Sequence, residues 1–259
     1  MKTKEIWSED GALLAAEFRR SVQLLKVYPL DTINSIVSFV IISTIFMVGI
    51  RAVGDSSQIF GVVFFPVMLN LISGPSASIR NDIEMGVFEQ VYISKYSLLK
   101  VAVIRTIVSG IVALFGSAII ALILHLFFIR ITFSPLHMIF LFLLFGTQSL
   151  LLGVALAGVT LRYRKTETLL NSLNLFVMIL LILPLLSISR NSFYVLSAFC
   201  PLWGVVTYYQ QLVTGMQGGQ IFLNITCSLV NTICLAFLAF GVYEKLLRET
   251  KRRGYLGQY

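Results

Sequence analysis

Asp82, Glu84 and Glu89 bring three carboxylates into one short stretch of a chain that holds only 12 acidic residues among its 259. The stretch runs from Arg80 to Lys95, and Ile83, Val87, Phe88 and Val91 share one helical stripe within it. Carboxylates on a short amphipathic helix accept charge-assisted hydrogen bonds, which suits docking into a groove on a partner. An interfacial helix that only joins two neighbouring segments would carry the same pattern. Catalytic chemistry is harder to find. No Gly-Lys pair exists in the chain, so no G-x-x-x-x-G-K-[ST] loop can cradle a nucleotide phosphate. H-E-x-x-H and C-x-x-C are absent too. His125 and His137 read as packing residues near a surface. Cys200, Cys227 and Cys234 are odd in number and lie in apolar stretches. They read as small buried hydrophobes, not as a disulfide or metal framework.

The elements that must position these groups follow from composition. Hydrophobic residues make up 57% and charged residues 12%, with a mean hydropathy of +0.88. A soluble domain carries about 25% charged residues, so a soluble globular enzyme is excluded. Disorder needs low hydrophobicity and high charge and is excluded as well. A β-barrel would show short alternating strands, whereas this chain shows long unbroken apolar runs. The expected fold class is an all-α polytopic membrane protein. The net charge of +8 fits cationic loops on one side of a bilayer. No basic stripe stands outside the loops, so no nucleic-acid partner is expected.

A bilayer core takes about 20 apolar residues per helix. Six spans are expected, over residues 30–50, 57–79, 104–129, 136–161, 168–189 and 220–243, and none holds an acid or a base at membrane depth. With the N-terminus cytoplasmic, six spans place most Lys and Arg inside and leave only Arg51, Arg130 and Arg190 outside. That satisfies the positive-inside rule; the inverted arrangement and a seven-span one do not. Residues 193–214 hold Pro201, Gly204, Tyr208, Tyr209, Gln210 and Gln211. Proline and glycine break a helix there, so a re-entrant helical hairpin is expected before the last span, with its loose backbone covered by protein or lining a cavity. Phe199, Pro201, Trp203, Tyr208 and Tyr209 would form an outer gate, unless they are ordinary aromatic anchors at the interface. Residues 1–29 form a cytoplasmic amphipathic interfacial helix, with Leu14, Phe18, Val22 and Leu25 as its stripe and Glu17, Arg20 and Gln23 on other faces. Residues 30–243 form the transmembrane domain, and 244–259 a basic cytoplasmic tail. The N-terminus lacks an apolar signal region and a cleavage site, so no removal is expected. Gly153 and Ala157 form a small-xxx-small pair that allows close helix packing. Asn70, Gln148, Asn174, Asn224 and Asn231 are polar points inside the spans. They suit either an amphiphile-lined path or bonds between helices.

The stretch Glu84-x-Gly86-x-x-Glu89, then Ser94 and a span rich in small residues, resembles the permease subunits of the ABC-2 family of ABC transporters. The layout from the N-terminal helix to the hairpin is similar too. Lys95 departs from the family, which often has proline after the serine. The resemblance implies a type V-like fold and the permease subunit of an exporter. It implies two copies of a soluble ATPase that bind ATP and Mg, a second permease copy or related chain, and no cofactor or enzyme activity on this chain. By the resemblance, Asp82, Glu84, Gly86, Phe88, Glu89 and Tyr92 couple to the ATPase. Phe18, Arg19, Arg20 and Leu25 form a second, N-terminal contact. The cargo would be an amphiphile: a drug, peptide, lipid or lipid-linked glycan. The place would be the bacterial plasma membrane, with both termini cytoplasmic and membrane lipids around the chain. The competing class is a non-transporting membrane protein, such as an immunity or assembly factor.

Overall fold

A computed structural model describes residues 2–27, 29–30, 33–34, 37–38, 40–41, 44, 59–86, 90, 96–127, 135–163, 166–182, 200, 202–214 and 218–252. Among these the chain is all helical. The helices are α1 (Lys2–Val27), α2 (Ile59–Glu84), α3 (Leu98–Phe127), α4 (Pro135–Tyr163), α5 (Glu167–Ile182), α6 (Trp203–Thr214) and α7 (Gly218–Arg252). The described residues between 29 and 44 are helical as well, and Thr44 donates to the Val40 carbonyl at 2.7 Å. By length and composition, three helices can cross a membrane: Leu98–Ile119, Ile139–Tyr163 and Phe222–Arg252. Thr168–Val177 is a shorter apolar helix.

Helix boundaries follow local chemistry. Ser97 caps α3, accepting from the Lys100 amide at 3.3 Å on its Oγ and from the Val101 amide at 3.2 Å on its carbonyl. The third helix therefore starts at Leu98, ahead of the expected 104, and Lys100 and Arg105 lie inside it. Arg105 lies in the helix, one residue ahead of the charge-free run from Thr106, and not in a loop before it. The second helix runs past the expected 79 to Glu84 and ends where Gly86 takes φ +70. The Met85 amide bonds to the Asn81 carbonyl at 2.9 Å and the Gly86 amide to the Ile83 carbonyl at 3.1 Å, closing the helix end. Asp82 to Glu84 thus form the last turn of α2, not the start of a separate helix. The last helix continues through Arg252, so the expected tail from 244 is helical over its first part. Hydroxyls inside the apolar helices bond to their own backbone: Ser73, Thr106, Thr160, Thr232 and Thr250 each donate four residues back.

Helix α2 is the centre of the packing, against α3, α4 and α5, while α4 also packs on α7 and α1 on α3. Small residues set the close approaches. A Cβ on Gly153 would lie 2.5 Å from the Leu71 carbonyl oxygen and 2.8 Å from that of Ile72. Pro75 has no N–H to offer the Leu71 carbonyl, and Gly153 of α4 packs onto that freed carbonyl. A Cβ on Gly74 would meet the Thr106 side chain at 2.7 Å, and one on Gly158 the Tyr243 Cα at 2.9 Å. Ala157 is fully buried in the same seam. Close packing through Gly153 and Ala157 is what the sequence pattern anticipated.

Candidate functional site

Arg105 joins three helices. Its Nη1 donates to both Asp82 oxygens at 2.8 and 2.7 Å and lies 3.3 Å from the Ser78 Oγ. Its Nε donates to Glu17 Oε1 at 3.0 Å. The side chains are 19% exposed for Arg105, 13% for Glu17 and 6% for Asp82. Asp82 occupies the last turn of α2, where the helix dipole disfavours an anion, and the guanidinium offsets this. Arg20 stands 3.6 Å from Glu17 and helps balance the pair of carboxylates. The result ties α1 and the end of α2 to α3.

This geometry places the expected coupling residues differently. Asp82 points inward to Arg105, so its carboxylate is used within the chain. Glu84 is 64% exposed and lies 3.5 Å from Arg80. Met85, Gly86 and Gln90 are exposed too. No heavy atom of this chain lies within 4 Å of a Cβ built on Gly86, so within the chain it is the φ of +70 that calls for glycine. Phe88, Glu89 and Tyr92 lie outside the described residues, as do Ser94 and Lys95.

Helix α1 lies against α3 by one side. Leu13, Glu17 and Ser21 are half-buried, while Leu14 and Phe18 are each 41% exposed, and Arg19 and Arg20 are exposed. The Glu17–Arg105 bond holds Glu17 against the bundle, Val22 of the stripe is half-buried too, and Leu14, Phe18, Arg20 and Gln23 are left outward. The Leu25 side chain is outside the described ones. The outward side of α1 and the exposed turn after α2 are linked through Arg105.

The gate candidates also have a definite place. Trp203, Tyr208 and Tyr209 are buried in a core with Phe64, Met68, Leu141 and Phe145. Phe140 meets Tyr208 edge to face with ring centroids 6.1 Å apart. Gly204 lies within continuous α6 and does not break it; Phe199 and Pro201 lie outside the described residues. Leu202 carries the unusual backbone, with φ 70. Its amide donates to Gln148 Oε1 at 2.8 Å, and Gln148 Nε2 donates to the Ser228 carbonyl at 3.1 Å and to Thr232 Oγ1 at 2.9 Å. Gln148 therefore bonds between α4, α6 and α7. Asn70 bonds within its own helix, to the Pro66 carbonyl at 3.3 Å. Asn224 is fully buried without a hydrogen-bond partner among the described residues. Cys234 is exposed, not buried as expected; Cys200 and Cys227 are half-buried, and all three are free. Among the described residues, no group of three His, Cys, Asp or Glu is placed to hold a metal ion.

Sequence reasoning missed Arg105, Glu17 and Ser97. The signals were present: Ser97 directly precedes an apolar run, and an arginine flanked by Val101–Ile104 and Ile107–Val108 needs an acid. The fold and this site define an all-helical protein with apolar helices compatible with membrane spanning. Comparison with family models, curated proteins and solved structures finds no match.

Proposed function

We propose that the chain is the membrane-spanning permease subunit of an ATP-driven exporter. Six spans cross the bacterial plasma membrane, both termini are cytoplasmic, and residues 193–214 form a re-entrant hairpin. A second copy or a related permease completes the path for an amphiphile. Two copies of a soluble ATPase bind ATP and Mg, and hydrolysis there supplies the motion.

One observation carries the reading: the Arg105 link between α1, the end of α2 and α3. A push on the turn after α2 reaches α3 through Asp82 and α1 through Glu17, without waiting for the helices to repack. Glu84, Met85, Leu14 and Phe18 stay outward and form the ATPase contact, with Phe88, Glu89 and Tyr92 continuing it. Arg19 and Arg20 lie beside that contact on α1. The α6 aromatics act as the outer gate only by moving out of the core, with Leu202 and Gln148 as the pivot.

The reading is tested by co-expression with a P-loop ATPase encoded beside the gene. Purification should give a complex of two permeases and two ATPases, with ATP hydrolysis altered by amphiphilic substrates. Absence of a complex together with absence of ATP-driven efflux would reject the proposal.

A further inference from the structure

Helix α7 runs unbroken from its apolar stretch into its basic end, and its outward face changes character along one line. With about 100° between successive residues, Val230, Cys234, Phe237 and Gly241 occupy one narrow arc. Lys245, Arg248 and Arg252 fall on the same arc, and all of these residues are exposed. Lys251 lies at its edge. Buried positions such as Ala239, Tyr243 and Thr250 lie on the opposite side, toward the bundle. The outward face is therefore apolar up to Val242 and basic from Lys245. Only Glu244 interrupts it, bonded to Arg248 at 3.0 Å; Glu249 is turned to Arg162 at 2.7 Å.

Length fixes what this face meets. From Phe222 to Val242 the helix spans roughly 30 Å at about 1.5 Å per residue, the thickness of the hydrocarbon core. Lys245 then lies about 5 Å beyond that core and Arg248 about 9 Å, at or just outside the headgroup layer and within reach of it by side-chain extension. A lipid whose chains lie against Phe237, Leu238 and Val242 has its phosphate level with these cations.

We propose that the outward face of α7 is a binding site for anionic phospholipid, with Lys245 and Arg248 holding the headgroup phosphate and Arg252, about 15 Å beyond the core, adding only to the attraction of the surface. The inference rests on α7 spanning the bilayer and not on the transport reading. Lipid is favoured over a protein partner because the apolar part of this face is as long as the hydrocarbon core and passes directly into the basic part, the order of acyl chain and headgroup, and charge complementarity selects the anionic species.

The full-length protein is extracted from vesicles of phosphatidylcholine and phosphatidylglycerol in equal parts, and retained lipids are counted by native mass spectrometry. Wild type should keep phosphatidylglycerol in excess, and raised salt should weaken the excess. Each surface cation favours anionic lipid by roughly fivefold. K245Q/R248Q/R252Q should lower the ratio of the two lipids by at least about fivefold, while K245R/R248K/R252K should keep it. Glu244→Gln, which removes only the competing acid, should raise the ratio and serves if the triple variant inserts poorly. Equal retention of both lipids by wild type, or ratios unmoved by these variants, would overturn the proposal and assign the cations to solvent or to a protein partner.

Discussion

Arg105 serves two carboxylates from different helices, and the planar guanidinium fork suits that geometry in a way a lysine does not. Arg105→Gln leaves Asp82 and Glu17 partly buried and unpaired. Breaking a fully buried pair costs about 3–5 kcal/mol; with Arg105 19% exposed, about 2–3 kcal/mol is expected here. Arg105→Lys should recover part of this, measured as the unfolding midpoint in detergent; equal stability of wild type and Arg105→Gln would show that the link contributes nothing. Gly86 allows a second residue-scale test. Its φ of +70 costs an L-residue about 1–2 kcal/mol, so Gly86→Ala should destabilise and Gly86→Asn should do so less. These roles were only half legible in the sequence. The acidic stretch at Asp82–Glu84 stood out, but its composition could not tell that Asp82 turns inward. Hydropathy marks where apolar residues begin, near residue 104, whereas Ser97 marks where the helix begins, so the helical place of Arg105 was not legible from hydropathy alone.

At the scale of elements, small residues let α4 lie directly on the backbone of α2. Gly153→Ala places a methyl 2.5 Å from the Leu71 carbonyl, and overpacking against backbone costs about 1–3 kcal/mol. Gly116→Ala, with no heavy atom within 4 Å of the built Cβ, should be neutral or stabilising in the same assay. A Gly153→Ala protein as stable as wild type would contradict the close approach. Gln148→Leu removes the acceptor for the Leu202 amide and both bonds to α7, and should loosen α6, read as faster amide exchange at its start. The all-helical class was legible among the described residues, and the three helices long and apolar enough to cross a membrane fall near the expected runs 104–129, 136–161 and 220–243, since apolar runs dictate them. The attachment of α1 through Glu17 was not legible, because its partner Arg105 lies 88 residues away in the chain. The burial of Trp203, Tyr208 and Tyr209 was not legible either: aromatics suit a gate, an interface belt and a core equally well until their neighbours are known.

The whole molecule is described by its topology and by what drives it. The proposed six-span arrangement predicts that single cysteines near Ser57 and Arg190 react with an impermeant thiol reagent added outside, and that one near Lys251 does not. Labelling at Lys251 from outside would reverse the orientation and remove the proposed ATPase surface from the cytoplasm. The central claim is that the surface around the turn after α2 receives work from an ATPase. Its most direct test is efflux of an amphiphilic dye from vesicles holding the permease with its ATPase, comparing wild type with Glu84→Lys/Glu89→Lys. Each charge-assisted hydrogen bond at such a contact contributes about 1.5–3 kcal/mol, and Glu84, which faces Arg80, takes no part in the Arg105 link. The account predicts that the double variant inserts at normal abundance while ATP-driven efflux falls by tenfold or more, on the order of the loss of one such bond. Efflux at the wild-type rate from the double variant, at equal abundance, would contradict it.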